Sequence, residues 1–273
     1  MEKKVKRKYE DLNFADVCLG ASDNIRNGGA EIEGDNIVFS YGETGIDLPW
    51  IFHKYSLERD CVRWHKIYFE LYGVLPRNCM GCWKVVVRPK NIDELFELDE
   101  LQKKMVEAGG LACKCGVDVR ATETYKGIYL GFWYCPLWDL EGAREHYKEI
   151  RRKVRGALAL DTPVILKRGC TEMENKFGPS HLWEYSMNMR MKEAMLDAVI
   201  KLKQPKKPQP SFVRDHVYAI WINYAHRMGD KEARKYYRVY PESTGSVPTS
   251  TYHDKVPEIK EEVVPYEVGI QRV

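Results

Sequence analysis

No stretch of this chain approaches about 18 consecutive apolar residues, so no segment reads as a membrane-spanning helix. The opening, Met1-Glu-Lys-Lys-Val-Lys-Arg-Lys, is basic but has no apolar run behind it, which argues against a secretory signal. A dominant charge is lacking too. Net charge is +3, with 43 Lys and Arg against 40 Asp and Glu, so composition alone provides no basic field aimed at nucleic acid. Familiar catalytic signatures are also missing: there is no His-Glu-x-x-His, no His-x-Glu with Pro-Cys-x-x-Cys, no P-loop and no Gly-x-Gly phosphate fingerprint. These absences weaken the zinc-protease, zinc-deaminase and nucleotide-binding readings. No internal repeat is present. Eight cysteines in 273 residues are too sparse for a disulfide mini-scaffold. The expectation is an intracellular, cytoplasmic protein with reduced thiols and no membrane partner.

What the chain does have is a core-forming composition, 44% hydrophobic and 30% charged. Its cysteines are unevenly placed. Cys79-Met-Gly-Cys82 is followed about thirty residues later by Cys113-Lys-Cys115. Paired thiols at such spacings can turn sulfurs toward one point, as a tetrahedral zinc site requires, so Cys79, Cys82, Cys113 and Cys115 are expected to hold a structural Zn2+. An iron–sulfur cluster that also uses Cys135 or Cys170 is the alternative, and buried metal-free thiols are a third reading.

Periodicity predicts a strand at Trp83 to Arg88, then a helix capped by Asn91 and carrying Leu95, Leu98, Leu101 and Met105. Strands follow at Leu111 to Arg120 and Gly127 to Cys135. A second helix capped by Asp139 carries Ala143, Tyr147, Ile150, Val154 and Ala157, and a fourth strand runs from Pro163 to Cys170. The order over residues 83–170 is β-α-β-β-α-β, which predicts an α+β, ferredoxin-like core. Such a sheet would bring all six of its cysteines to one end. A preceding helix is expected at 56–72, capped by Ser56 and burying Leu57, Cys61, Trp64, Tyr68 and Leu71. Later helices are expected over 181–203 and 212–240, joined by the proline-rich linker 204–210. The domain reading is an irregular arm at 1–50, a zinc-stabilised core at 51–203, a C-terminal helix at 211–240 and an extended tail at 241–273.

Three functions compete. The first is nucleic-acid binding, DNA or RNA, through basic helix faces. Residues 144–155 hold six basic residues against two acidic ones, a balance of 6 − 2 = +4. The contact residues would be Arg144, Lys148, Arg151, Arg152 and Arg155, then Lys201, Lys203, Lys206 and Lys207, then Arg234 and Lys235 beside tyrosines. No RNP-like motif supports a standard single-strand RNA binder. The second is an enzyme at the cysteine-rich end of the sheet, with Cys170 as nucleophile activated by Arg168 or His181, and Glu172 or Glu174 as base. The third is an assembly subunit that grips a partner through residues 1–10 and 241–273.

Overall fold

The structure is a computed structural model that describes residues 12–40, 49–118, 129–203 and 213–236. In chain order the described elements are α1 (Phe14–Arg26), β1 (Ala30–Glu33), β2 (Asn36–Ser40), β3 (Trp50–Lys54), a π-helix (Val62–Phe69), α2 (Arg77–Met80), β4 (Trp83–Val87) and α3 (Ile92–Glu107). They continue with β5 (Ala112–Val117), β6 (Tyr129–Tyr134), α4 (Leu140–Ala157), β7 (Val164–Arg168), α5 (Thr171–Phe177) and a 3-10 turn (Ser180–Leu182). The last are α6 (Met187–Val199), β8 (Ile200–Lys203), α7 (Val213–Arg227) and a second 3-10 segment (Lys231–Tyr236). The protein is mixed α+β. Among the described residues no helix is long and apolar enough to cross a membrane.

Two compact units divide the chain. Unit one draws on 1–43, 59–80 and 172–207, and unit two on 44–58, 81–171 and 208–273. These units cut across the expected bounds at 1–50 and 51–203: residues 59–80 and 172–203 cluster with 1–43, and Phe14–Arg26 form a helix within the expected irregular arm. Helix α1 begins with a capping box, in which Asn13 accepts the Asp16 N–H and Asp16 returns the bond. Its buried stripe is small, Val17 and Ala21. Gly20 permits close approach, since a Cβ there would lie 2.4 Å from the Tyr72 ring. Small residues make a weak hydrophobic period, which is why this helix was not legible.

In unit one β2 pairs antiparallel with β1 and parallel with β8. Strand β8 corrects the long helix expected over 181–203. Ile200-Lys201-Leu202-Lys203 alternates apolar and charged, a period of two. Ile200 is buried and the lysines are exposed. The core of this unit includes Val17, Ile37, Phe39, Ile67, Tyr68, Leu196 and Ile200. The helix expected at 56–72 is shorter. Asp60 accepts the Arg63 N–H at 3.1 Å where Ser56 was expected to cap. Leu57 and Cys61 are exposed, not part of a buried stripe.

Unit two is a five-stranded sheet ordered β3-β5-β6-β4-β7, with every neighbouring pair antiparallel. Strand β6 thus lies between β4 and β5, and β7 lies outside β4. Strand β3 extends the edge beyond β5. The strands alternate: Val85 and Val87 join the core shared with helices α3, α4 and α7, whereas Val86 joins Trp50, Leu130 and Phe132 on the other face. Both expected caps are present. Asn91 accepts the Glu94 N–H at 2.9 Å and Asp139 accepts the Gly142 N–H at 2.8 Å.

Helix α3 lies close on β6 because Gly131 has no side chain. A Cβ there would stand 2.5 Å from Leu98 Cδ2. Gly131→Ala should lower unfolding free energy in urea by about 1–3 kcal/mol. Gly156, near the end of α4, has open space around its Cβ position. Gly156→Ala should raise stability by up to about 1 kcal/mol, so the pair separates packing from propensity.

Candidate functional site

The cysteines end up in different surroundings. Cys79 belongs to unit one, and Cys82, Cys113, Cys115, Cys135 and Cys170 to unit two. At the end of the unit-two sheet, Gly169 N–H donates to the Cys82 carbonyl at 2.8 Å and Cys135 N–H to the Trp83 carbonyl at 3.1 Å. Cys82, Cys135 and Cys170 therefore gather at one end. Cys113 and Cys115 do not join them. Cys113 pairs with Trp133, whose partner on the other side is Val85, three residues into β4 from Cys82. With β6 between, Cys82 and Cys113 stand about 10 Å apart along the strands and about 10 Å across them. Cys115 lies deeper still. Within unit two the C-x-C thiols are thus not brought to the sulfur of Cys82. Gly116 pairs regularly with Leu130 and Trp50, so β5 does not bend after the C-x-C.

The sheet irregularity falls on β3 instead. Its register against β5 shifts between Phe52 and Lys54, leaving His53 as the bulged residue. His53 Nε2 meets Asp99 Oδ1 at 2.7 Å. Asp99 lies on the buried face of α3 with Leu95 and Leu98 and is 0% exposed. Its other oxygen accepts Arg214 Nη2 and the Tyr218 hydroxyl, both at 2.5 Å. Arg214 also reaches Glu100 at 3.1 Å. The Cys115 thiol points at Asp99 Oδ1 from 3.5 Å. One carboxylate thereby ties β3, β5 and α7 to α3.

Burial pushes the Asp99 carboxyl up. The hydrogen bonds from His53 and Tyr218, with the charges of His53 and Arg214, outweigh that and hold it below the ordinary carboxylate value. Burial, followed by the nearby Asp99 charge, pushes the Cys113 thiol up to about 12, and it pushes Cys115 well above its ordinary value. In the sequence Asp99 stands among Asp93, Glu94, Glu97 and Glu100, which masks it as one more solvated charge. The signal that could have found it was a carboxylate four residues after Leu95, inside the apolar stripe.

Of the expected catalytic residues, Cys170 belongs to unit two and Glu172 and Glu174 belong to unit one. Cys170 is half-buried, and its sulfur is met by Lys84 Nζ at 3.6 Å. Arg168, expected to activate it, has its guanidinium over the Trp83 ring at 5.8 Å. Glu172 belongs to unit one, where its carboxylate lies 3.7 Å from His65 Nε2. Glu174 accepts the Ser180 N–H at 3.3 Å.

The basic residues are distributed as follows. Arg144, Lys148, Arg151 and Arg155 recur on α4 at +4, +3, +4 and share one face, with Arg152 at its flank. That face flanks the buried stripe of Ala143, Ile150 and Val154, with Arg144 and Arg151 half-buried and Lys148, Arg152 and Arg155 exposed. Arg144 pairs with Glu141 at 2.6 Å and Lys148 with Glu145 at 2.7 Å. Lys201 and Lys203 are in unit one, and Lys203 is paired with Glu31 and, at 2.7 Å, with Glu33. Lys235 holds Asp93 at 2.6 Å as well as Glu232, and Arg234 beside it is exposed. Lys206 and Lys207, with the arms at 1–10 and 241–273, lie outside the described residues. The sheet face carrying Trp50 and Phe132 is rich in aromatics, with Lys114 Nζ 4.3 Å from the Trp50 ring centroid. Trp50, Phe132 and Lys84 are nevertheless buried, so these side chains do not form an exposed stacking platform.

A group whose folded pKa is depressed contributes stability above its unfolded pKa and loses it as pH falls through the folded value. The Asp99 contribution is therefore complete at neutral pH and disappears below the usual carboxylate range of about 4. Asp99→Asn should cost about 2–4 kcal/mol in neutral urea melts, with the gap to wild type narrowing as the melts are repeated at lower acid pH. No protein-family model, curated protein or solved structure matches this chain.

Proposed function

We propose that this protein binds nucleic acid through α4, with the Arg144–Lys148–Arg151–Arg155 stripe and Arg152 as its phosphate contacts. The observation that carries the reading is the alignment of those cations on one face. Arg144 to Arg155 covers about 16 Å of helix, room for several phosphates. The ion pairs of Arg144 and Lys148 with Glu141 and Glu145 are exposed i,i+3 pairs, worth about 0–1 kcal/mol and readily exchanged for phosphate. Beyond Glu149 the helix has Arg151, Arg152, Lys153 and Arg155 and no acid, so positive charge concentrates toward its C-terminus. Phosphate contacts of this kind give affinity without sequence choice. Lys203 and Lys235 contribute less, because each is held by two carboxylates.

Anisotropy titrations with labelled single- and double-stranded oligonucleotides over a range of salt test this. Binding should weaken steeply with salt. The triple variant Arg151→Glu, Arg152→Glu, Arg155→Glu should abolish it, and the corresponding alanine variant should reduce the log–log salt slope by about 2–3. Absence of binding at low salt would remove the reading.

The Lys84–Cys170 contact favours a second reading, thiol chemistry at the end of the sheet. An ammonium group on a sulfur can stabilise negative charge that develops there in a reaction. Under that reading Cys170 should be the thiol alkylated fastest in the folded protein, ahead of exposed Cys61, and Lys84→Met should slow it. Peptide mapping after brief iodoacetamide treatment measures both rates. Equal labelling of Cys61 and Cys170, unchanged by Lys84→Met, would leave only the binding reading.

A further inference from the structure

We propose that His53, Asp99 and Cys115 form a divalent transition-metal site, of the zinc or cobalt(II) type, inside unit two. Three donor atoms of different chemistry converge there: His53 Nε2, Asp99 Oδ1 and Cys115 Sγ all lie within 4.8 Å of one another. Imidazole, carboxylate and thiolate are the donors zinc takes in tetrahedral sites. The 3.5 Å between Cys115 Sγ and Asp99 Oδ1 is near the ligand–ligand separation that such a site needs. The 2.7 Å between His53 and Asp99 must open by roughly half an ångström. His53 sits on the edge strand at a bulge, the part of the sheet best able to move by that amount.

The surroundings are those of a supported ligand set. Asp99 Oδ2, the oxygen facing away from the other two donors, is fixed by Arg214 and Tyr218, as outer partners fix a ligating carboxylate. Charge closes as well. A dication with the Asp99 carboxylate and a Cys115 thiolate is neutral, and Arg214 keeps Glu100 as a partner. On binding, the Cys115 proton leaves to solvent, and the Nε2 proton that His53 donates to Asp99 leaves that nitrogen as well, either to solvent or by transfer to Nδ1, so that the imidazole ligates through a bare Nε2. Without an ion, burial and Asp99 keep the thiol protonated, whereas a bound cation supplies the charge that makes the thiolate tenable. Cys113, two residues earlier and in the same core cluster, is the next donor along β5. This assigns Cys115, the second thiol of the C-x-C, to His53 and Asp99 and leaves Cys79 and Cys82 out of the site.

The reduced 273-residue chain is titrated with Co2+ and then with Zn2+ in competition. One equivalent of Co2+ should produce a thiolate-to-cobalt charge-transfer band, and Zn2+ should bleach it and raise the melting temperature. Calorimetry in buffers of different ionisation enthalpy should show proton release on binding. His53→Gln keeps a donor for Asp99 but removes the imidazole, and Cys115→Ala is a small change in a packed core. Each should weaken binding by at least about a hundredfold while the metal-free variant still melts cooperatively. Cys79→Ala with Cys82→Ala should leave the band unchanged. The proposal is overturned if wild type gives no thiolate band, if the band survives both single variants, or if it is lost in the Cys79/Cys82 double variant.

Discussion

The docking of the edge strand and the late helix of unit two depends on the fully buried carboxylate of Asp99. A carboxylate removed from water is costly unless every lone pair finds a donor. Asp99 meets that demand with four partners from three other elements: His53 from β3, Cys115 from β5, and Arg214 and Tyr218 from α7. The consequence is positional. The added edge strand β3 and the late helix α7 are distant in sequence from α3, yet both must dock correctly for the charge to be satisfied. Trp221 reinforces the same docking by donating its Nε1–H to the Pro49 carbonyl at 2.6 Å. A second polar anchor repeats the logic: Asp230 accepts the Ile92 N–H at 2.7 Å and the Tyr129 hydroxyl at 2.5 Å, tying the end of α7 to the start of α3.

These anchors explain why the acidic character of α3 does not oppose α4 as a free surface charge. Asp93, Asp99 and Glu100 are engaged by Lys235, Arg214 and their neighbours, and Glu94 is buried against Lys90 and Thr162. Structural pairing engages much of the negative charge of α3, while α4 carries its cations beside its core stripe, some of them in exposed pairs with its own glutamates. Cations in the last turn also complement the helix dipole, so the same residues serve helix stability and an anionic partner.

Strong local periods were legible. Leu95, Leu98 and Met105 marked α3; Ala143, Ile150 and Val154 marked α4; the Asn91 and Asp139 caps fixed where both begin. The four strands between residues 83 and 168 announced themselves through β-branched and aromatic runs. Weak or ambiguous periods failed. Helix α1 hides behind small residues, β8 was read as the end of a helix, and β3 is a short apolar run with no partner visible in the sequence. The thiol pairs were legible as pairs, but their partners were not. Register decides which residue faces which, and a single intervening strand separates Cys82 from Cys113.

The chain by itself determined the α+β class, the order of elements from β4 to β7 and the cationic stripe of α4, because each depends on spacing along a single element. Only the tertiary structure decided the division into two units, the docking of β3 and α7, and the meeting of His53, Asp99 and Cys115. Those depend on which distant segments share a buried charge or a strand edge, and no local period encodes that.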